Sequence, residues 1–165
     1  MFWPNLAIDF SVGIVFAIFG ITRFDGSPLH AAAIVLLAVI AWPLIEYVVH
    51  RWLMHGPIAA ASREHLVHHA RPDITFTTPP IAHLFVGLPS WAVLALMTSM
   101  SIAALLMAGV YAGFVWFRIV HRVVHFHPRV RFFGHSLRVH ELHHERPQRL
   151  FGVTTSFWDR VFGTL

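Results

Sequence analysis

The stretch that decides the fold is LFVGLPSWAVLALMTSMSIAALLMAGVYAGFVWFRIV, residues 84–120, which is apolar almost throughout. A helix that crosses a bilayer needs roughly 20 mainly apolar residues, so this run is too long for one ordinary span and slightly short for two. The small polar residues Thr98 to Ser101 lie near its middle. We therefore predict a tight helical hairpin with spans at about 84–98 and 101–120.

Two further apolar runs precede this hairpin, at about 6–22 and 30–49, and a short, turn-rich loop separates them. The whole chain is 56% hydrophobic and 12% charged, with a mean hydropathy of +0.63. Soluble domains carry about 25% charged residues, so this composition excludes an ordinary water-soluble globule. We predict an all-α, multi-pass membrane protein with four transmembrane helices and a single domain over 1–165.

The charged residues predict the orientation of the chain. All 12 basic residues are arginines, and only Arg23 lies in the short first loop. By the positive-inside rule, both termini and the two His-rich segments, 50–80 and 121–165, are expected to form a cytoplasmic helical cap, at the inner membrane if the source is bacterial. A net charge of +4 scattered between apolar runs is typical of membrane flanks and not of nucleic-acid binding. The absence of cysteine excludes disulfides, thiolate chemistry and iron–sulfur clusters.

Histidine is the most unusual feature of the composition, with 14 copies. Ten of them form four compact groups with the spacings H-x4-H, H-x2-H-H, H-x3-H and H-x2-H-H: His50 and His55; His65, His68 and His69; His121 and His125; His140, His143 and His144. Helical residues at i, i+3 and i+4 share a face, so each H-x2-H-H group is expected to offer three imidazoles to one point. The H-x4-H pair lies about 140° apart on an α-helix and therefore requires a helix end or a distortion, unless the two residues serve different metals.

These histidine groups predict a metal centre. Imidazole is a common ligand of iron, zinc, copper and nickel, and ten imidazoles are too many for one ion of four to six ligands. Two ions with about five imidazoles each are the natural division. Nearby carboxylates belong to Glu46, Glu64, Asp73, Glu141 and Glu145. Among them, Glu64 and Glu141 are the favoured acceptors for the free ring N–H of a ligand.

The order of the four groups resembles that of the fatty acid hydroxylase/sterol desaturase superfamily of membrane di-metal oxygenases. EYVVHRWLMH (46–55) is similar to the first histidine box of that family. HHARPDITFTTPP (68–80) and GVTTSFWDRVFGT (152–164) resemble the segment after the second box and the C-terminal signature of fatty acid 2-hydroxylases. Asp159, within this signature, is a candidate partner for Arg160 or another arginine.

The resemblance implies a non-haem di-iron centre that uses O2 to insert oxygen into a C–H bond of a membrane lipid. It implies that the ten clustered histidines are the ligands of two iron ions, although zinc fills such a site in overexpressed samples. Fatty acid 2-hydroxylases often carry a second histidine directly after the third-box ligand. Here Phe126 follows His125 and His127 comes next, so His127 is the alternative ligand.

Several alternatives stay open at this stage. A fatty-acyl or related lipid is favoured as substrate over the carotenoid ring, while sterol-type oxidation and desaturation belong to the same superfamily. A His-rich metal transporter is a candidate of another class, but transporters place ionisable residues inside their spans, and here the histidines lie beyond them. The chain has no room for a fused cytochrome domain, so we expect a separate ferredoxin- or cytochrome-type donor with its reductase. Arg129, Arg131 and Arg138 are candidates for docking that donor or for contacting lipid phosphates. The oligomeric state is open.

Overall fold

The computed structural model describes residues 2–72 and 80–165, apart from the side chains of residues 59–61, 80 and 81. Within these ranges the chain forms helices and connecting turns and no strand, so the all-helical prediction is confirmed. Asp73, one of the carboxylates singled out in the sequence, lies outside the described residues.

The helices follow one another with short connections. They are α1 (Phe2–Arg23), α2 (Pro28–Val48) with a π-helical turn directly after it (Val49–Met54), α3 (Ala59–Ala70), α4 (Pro80–Met97), α5 (Met100–Phe126), a 3-10 turn (Arg131–Phe133), α6 (Gly134–Glu145) and α7 (Phe157–Val161). The predicted hairpin is present, since only Thr98 and Ser99 separate α4 from α5. The hydroxyl of Ser99 accepts a hydrogen bond from the backbone N–H of Ile102 at 3.2 Å, which caps the start of α5.

Of the described helices, three are long and apolar enough to cross a membrane: Phe2–Arg23, Pro28–Met54 and Met100–Phe126. A shorter apolar helix covers Ala82–Met97. Large apolar side chains on these helices face outwards, as with Val15 (65% exposed) and Leu96 (89% exposed). Such exposure is expected where lipid replaces water as the solvent. The fourth span and the cytoplasmic orientation of the cap stay predictions.

The chain divides into two compact units. The first comprises residues 1–42 and 77–115, and the second comprises residues 43–76 and 116–165. The single domain over 1–165 stays a prediction beside this division. All ten clustered histidines belong to the second unit.

In the first unit, α1 and α5 bury a cluster of Phe16, Ala104, Met107, Ala108 and Tyr111. A buried polar contact accompanies this cluster: Nδ1 of His83 lies 2.7 Å from Oδ1 of Asp9. Asp9 is only 1% exposed, so the imidazole partner offsets the cost of placing its carboxylate in an apolar helix.

Close packing between α2 and α5 in the first unit depends on a glycine. A Cβ at Gly109 would lie 2.4 Å from the carbonyl oxygen of Val35 and 2.6 Å from the Cβ of Ala38. Small residues permit such close approach between helices in a membrane. Gly109→Ala is therefore expected to lower stability by about 1–3 kcal/mol, the usual cost of overpacking. Thermal unfolding in detergent measures the change.

Gly134 provides the matched control, because a Cβ there would contact nothing within 4 Å. Gly134→Ala makes the same chemical change at a helical position and is expected to leave the unfolding temperature unchanged or slightly raised. Equal unfolding temperatures for the two variants would contradict the packing argument.

The second unit has its own core, formed by Val120, Val124 and Val153 with Phe117, Phe133 and Leu137 packed against them. Val120 and Val124 lie on α5 between and beside the histidines of the third group. This packing fixes the face of α5 that carries His121 and His125.

Candidate metal centre

The first histidine pair lies on the π-helical turn. The backbone N–H of His55 donates to the carbonyl oxygen of His50 at 3.1 Å, an i→i+5 bond that defines this type of turn. Because the hydrogen bond closes one residue later than in an α-helix, positions i and i+5 come onto the same side. The ring centroids of His50 and His55 lie 5.1 Å apart. Of the alternatives for the H-x4-H spacing, the structure shows the distorted helix, and it places both residues in one group. A Cβ at Gly56 would lie 1.7 Å from the carbonyl oxygen of Trp52, so only glycine fits at this position, two residues after the turn ends at Met54.

The structure brings all ten clustered histidines together in two groups of five. The first group consists of His50, His55, His65, His69 and His143, and the second consists of His68, His121, His125, His140 and His144. Within each group, one ring nitrogen per residue lies within 4.8 Å of all the others. This division matches the expectation of two ions with about five imidazoles each. The role of each residue as a ligand stays a prediction.

Each H-x2-H-H motif is split between the two groups. The expectation that its three imidazoles serve one point is wrong: His65 and His69 face the first group while His68 faces the second. On α6 the same split is reversed, since His140 and His144 face the second group and His143 faces the first. The reason is geometric. Residues at i and i+4 differ by about 40° around the axis, whereas i+3 points about 60° to the other side of i. Each helix therefore contributes to both groups.

In the first group the Nε2 atoms line up at short, regular distances. They are 3.0 Å from His50 to His65, 2.9 Å from His55 to His65, 3.1 Å from His55 to His143 and 3.1 Å from His65 to His69. Two nitrogens each about 2.1 Å from an ion and at right angles to each other lie about 3.0 Å apart. The observed spacing therefore fits the edges of a coordination polyhedron.

The second group repeats this arrangement. Its Nε2 distances are 3.1 Å from His68 to His121, 3.2 Å from His121 to His125, 2.7 Å from His125 to His140 and 3.1 Å from His140 to His144. The donors are imidazole nitrogens throughout, which suit iron or zinc. Both groups therefore fit a divalent transition-metal ion.

The ring protons support the same conclusion. Nδ1 of His50 donates to the carbonyl oxygen of Phe151, and Nδ1 of His143 donates to that of Arg149 at 2.6 Å. A neutral imidazole has a single N–H, so the Nε2 atoms of these two residues carry lone pairs. These lone pairs point at other ring nitrogens, an arrangement that a cation stabilises.

Burial keeps the clustered imidazoles neutral. Desolvation, followed by repulsion from neighbouring imidazoles, lowers the pKa of His55 from 6.5 to about 4 and the pKa of His68 and His69 to about 3. Desolvation also lowers the pKa of His143 to about 4, although its hydrogen bond to Arg149 acts in the opposite direction. The pKa values of His65, His140 and His144 are lowered for the same first cause. At neutral pH these rings are therefore unprotonated at the nitrogen that a metal requires.

Three residues that the sequence singled out lie away from both groups. Glu64, Glu141 and His127 are exposed, and none of them belongs to either cluster of ring nitrogens. Among the described residues, no hydrogen bond joins Glu64 or Glu141 to a clustered histidine. The acceptors for His50 and His143 are instead the backbone carbonyls of Phe151 and Arg149.

Sequence reasoning missed the role of Asp159. Its side chain is fully buried, and it accepts hydrogen bonds from the backbone N–H groups of Phe151 at 2.7 Å and Gly152 at 2.9 Å. The hydroxyl of Thr164 donates to the same carboxylate at 2.8 Å. These partners replace the arginine that the sequence suggested. The sequence signal that could have indicated a buried carboxylate was the position of this acidic residue within the aromatic stretch FWDRVFG (157–163).

Glu46 has a comparable role at the other end of the same loop. Its carboxylate is 4% exposed and accepts from the backbone N–H groups of Val153 at 2.6 Å and Thr154 at 2.9 Å, and from the Thr154 hydroxyl at 2.6 Å. Two buried carboxylates therefore hold four successive backbone amides next to the first histidine group.

Comparison with known proteins gives a consistent result. The model of the fatty acid hydroxylase family matches residues 35–164. The dihydroceramide fatty acyl 2-hydroxylase FAH2 of Arabidopsis thaliana is 34% identical over 142 residues, which are 80% of this chain and 60% of that protein. The fatty acid 2-hydroxylase of Rattus norvegicus is 28% identical over 143 residues, or 79% of this chain and 38% of that protein.

A solved structure is also similar. It is that of full-length scs7p, in which only the hydroxylase domain is visible, and it superposes with a TM-score of 0.87 at 27% identity. The match covers 99% of this chain and 66% of that chain. The chain thus spans about 60% of the length of its plant relative and less of the animal one. Since the family model covers most of the sequence, including both histidine groups, the chain belongs to the fatty acid hydroxylase family.

Proposed function

We propose that this protein is a membrane-bound, O2-dependent lipid hydroxylase whose two histidine groups each hold one iron ion. The observation that carries the proposal is the convergence of five Nε2 atoms on each of two points, at the spacing of metal ligands. The names of the relatives support a fatty-acyl lipid as the substrate class and the carbon next to the carbonyl as the position oxidised.

The ten imidazoles would hold the two ions, which supply the activation of O2 when bound. Zinc fits the same nitrogens but has no redox chemistry, so a zinc-loaded sample would be inactive. The residues of the chain itself keep the ligand nitrogens unprotonated by burial and fix the orientation of His50 and His143 through backbone carbonyls.

Hydroxylation also requires a source of electrons. One oxygen atom of O2 enters the C–H bond and the other leaves as water, which consumes two electrons and two protons. We propose that a separate ferredoxin- or cytochrome-type protein with its reductase supplies the electrons. Arg129, Arg131 and Arg138 are exposed in the second unit and offer positive charge to an acidic donor.

Lipid mass spectrometry of an expression host tests the proposal. Cells producing the wild type are expected to contain a lipid heavier by one oxygen atom, which cells producing His143→Ala or His144→Ala lack. The matched control is His127→Ala, which removes an exposed imidazole outside both groups and is expected to retain product formation.

Other outcomes would change the assignment. Loss of two hydrogens from a lipid would indicate desaturation, and an oxidised carotenoid or sterol would move the substrate class within the superfamily. Unchanged lipids in a host supplied with the electron donor, with two bound ions confirmed, would contradict the hydroxylase proposal.

A further inference from the structure

We propose that the loop of residues 149–154, held by Asp159 and Glu46, controls the binding of one metal ion only, the one at the first histidine group. The two ions would then be held unequally, with slower release from the first group. This inference rests on the proposed two-ion centre and adds an assignment of positioning residues to it.

The loop has a conformation that needs support. Leu150 has a φ of +59°, a left-handed backbone geometry that residues other than glycine rarely adopt. Its N–H donates to the carbonyl oxygen of Thr164 at 2.8 Å, so the C-terminal segment holds the turn in place. Residues in such conformations persist only where the surroundings fix them, and they are concentrated at functional sites.

Asp159 and Glu46 supply most of this support. The carboxylate of Asp159 binds the amides of Phe151 and Gly152, and that of Glu46 binds those of Val153 and Thr154. Carboxylate acceptors form charge-assisted bonds, which are about twice as strong as neutral ones. Four consecutive N–H groups are thus fixed, and the carbonyls between them are fixed with them.

Two loop carbonyls determine the orientation of two imidazoles in the first group. The Phe151 carbonyl belongs to the peptide unit whose Gly152 N–H binds Asp159, and the Arg149 carbonyl belongs to the peptide unit whose Leu150 N–H binds Thr164. Phe151 accepts from Nδ1 of His50, and Arg149 accepts from Nδ1 of His143. The ring of Phe151 also packs against the first group, with centroids 5.8 Å from His50, 5.5 Å from His55 and 5.7 Å from His143. Hydrogen bonds of this kind raise the basicity of a ligand and fix its tautomer.

The second group differs in this respect. Nδ1 of His68, His140 and His144 is buried and has no hydrogen-bond partner among the residues that the structure describes, as is also true of His69 in the first group. The bond pattern of the 149–154 loop therefore has no counterpart at these three imidazoles. Loss of the loop's hydrogen bonds should weaken metal binding at the first group and leave metal binding at the second group unchanged.

Release of metal to a chelator tests this inference on the purified full-length protein loaded with two Fe²⁺ ions under anaerobic conditions. The wild type is expected to release its metal in two phases of one ion per chain. Asp159→Asn should accelerate the slower phase by about 10–100-fold and leave the faster phase unchanged. The amide keeps one acceptor oxygen but turns an N–H toward the N–H of Gly152.

Two further variants make the test specific. Gly152→Ala leaves the carboxylate intact but places a Cβ 2.0 Å from the carbonyl oxygen of Thr155, so it should accelerate the same phase. Asp9→Asn is the matched control, because it neutralises an equally buried carboxylate of the first unit, and both of its phases should match the wild type. His143→Ala should retain one ion that leaves at the rate of the faster phase.

The outcomes distinguish this inference from the function on which it rests. A wild type that binds no metal would refute the proposed centre. A wild type that binds two ions and releases them in a single phase would overturn the proposed difference between the two groups but not the two-ion centre. This outcome does not depend on whether the variants fold. Equal acceleration of both phases by Asp159→Asn would show a general structural role and would also overturn it.

Discussion

His68→Ala and His143→Ala are each expected to lose one metal ion, and the two ions lost should be different. The structure places His68 of α3 in one group with His140 and His144 of α6. It places His143 of α6 in the other group with His65 and His69 of α3. In the proposed two-ion centre, removing one of five imidazoles takes a direct ligand from its site. The lipid-hydroxylating activity of either variant should therefore fall by at least about 100-fold. Loss of a ligand's hydrogen-bond partner alone costs up to about 100-fold, and loss of the ligand itself should cost no less.

Double variants make this assignment decisive. His68→Ala combined with His144→Ala affects one group only, so the protein should retain one ion per chain by elemental analysis. His68→Ala combined with His143→Ala affects both groups and should retain none. His127→Ala, outside both groups, should retain two.

The opposite result is equally clear. If each H-x2-H-H motif served a single ion, His65→Ala with His68→Ala would retain one ion. The structure instead places these two residues in different groups, so that double variant should retain none. Retention of one ion there, with full loss in His68→Ala with His144→Ala, would show that the motifs are not split.

Much of this architecture could be predicted from local sequence. The apolar runs predict the helices because their length matches a bilayer, and Thr98 to Ser101 mark the turn of the hairpin. The convergence of imidazoles also follows from local geometry, because positions i and i+4 share a helix face. The H-x4-H spacing of His50 and His55 pointed to a distorted helix for the same reason, and the structure has a π-turn there.

The remaining features depend on contacts that sequence spacing does not contain. Helix geometry turns His68 to a different side of α3 from His65 and His69, but the presence of a histidine group on each side depends on the other helices and not on α3 alone. Glu64 and Glu141 were favoured because they are adjacent in sequence to histidines predicted as ligands. The acceptors for Nδ1 of His50 and His143 are instead carbonyls of the 149–154 loop, 101 and 6 residues away along the chain. Backbone carbonyls also leave no signature in residue type.

The metal-free protein is expected to lose thermal stability as the pH falls from 7 to 5. The pKa values of His55, His68, His69 and His143 lie below 6.5 in the folded state, at about 3 to 4, because burial disfavours the charged ring. Between these values and 6.5 the unfolded chain binds more protons than the folded one. Stability is therefore fully present above pH 6.5 and is lost as the pH falls through this window.

The size of the effect follows from the number of groups involved. If each of the clustered imidazoles outside the spans contributes about 0.5 kcal/mol after allowance for solvent screening, the unfolding temperature should fall by roughly 7–14 °C, at about 2–4 °C per kcal/mol. Thermal unfolding of the metal-free protein in detergent at pH 7, 6 and 5 measures this.

Bound metal should oppose the loss until protons displace it, because ligand binding stabilises only the folded state. The unfolding temperatures of the metal-loaded and metal-free protein should therefore stay a similar interval apart from pH 7 to 5 and converge only near about pH 4, where protons begin to compete for the same ring nitrogens in the folded state. His144→Ala removes one buried imidazole and should make the metal-free profile shallower. An unfolding temperature of the metal-free protein that is constant from pH 7 to 5 would show that folding does not lower the pKa of the clustered rings, so that they bind protons in the folded state as readily as in the unfolded chain. Such rings would repel both each other and a cation, so a flat profile would contradict the two-ion centre itself.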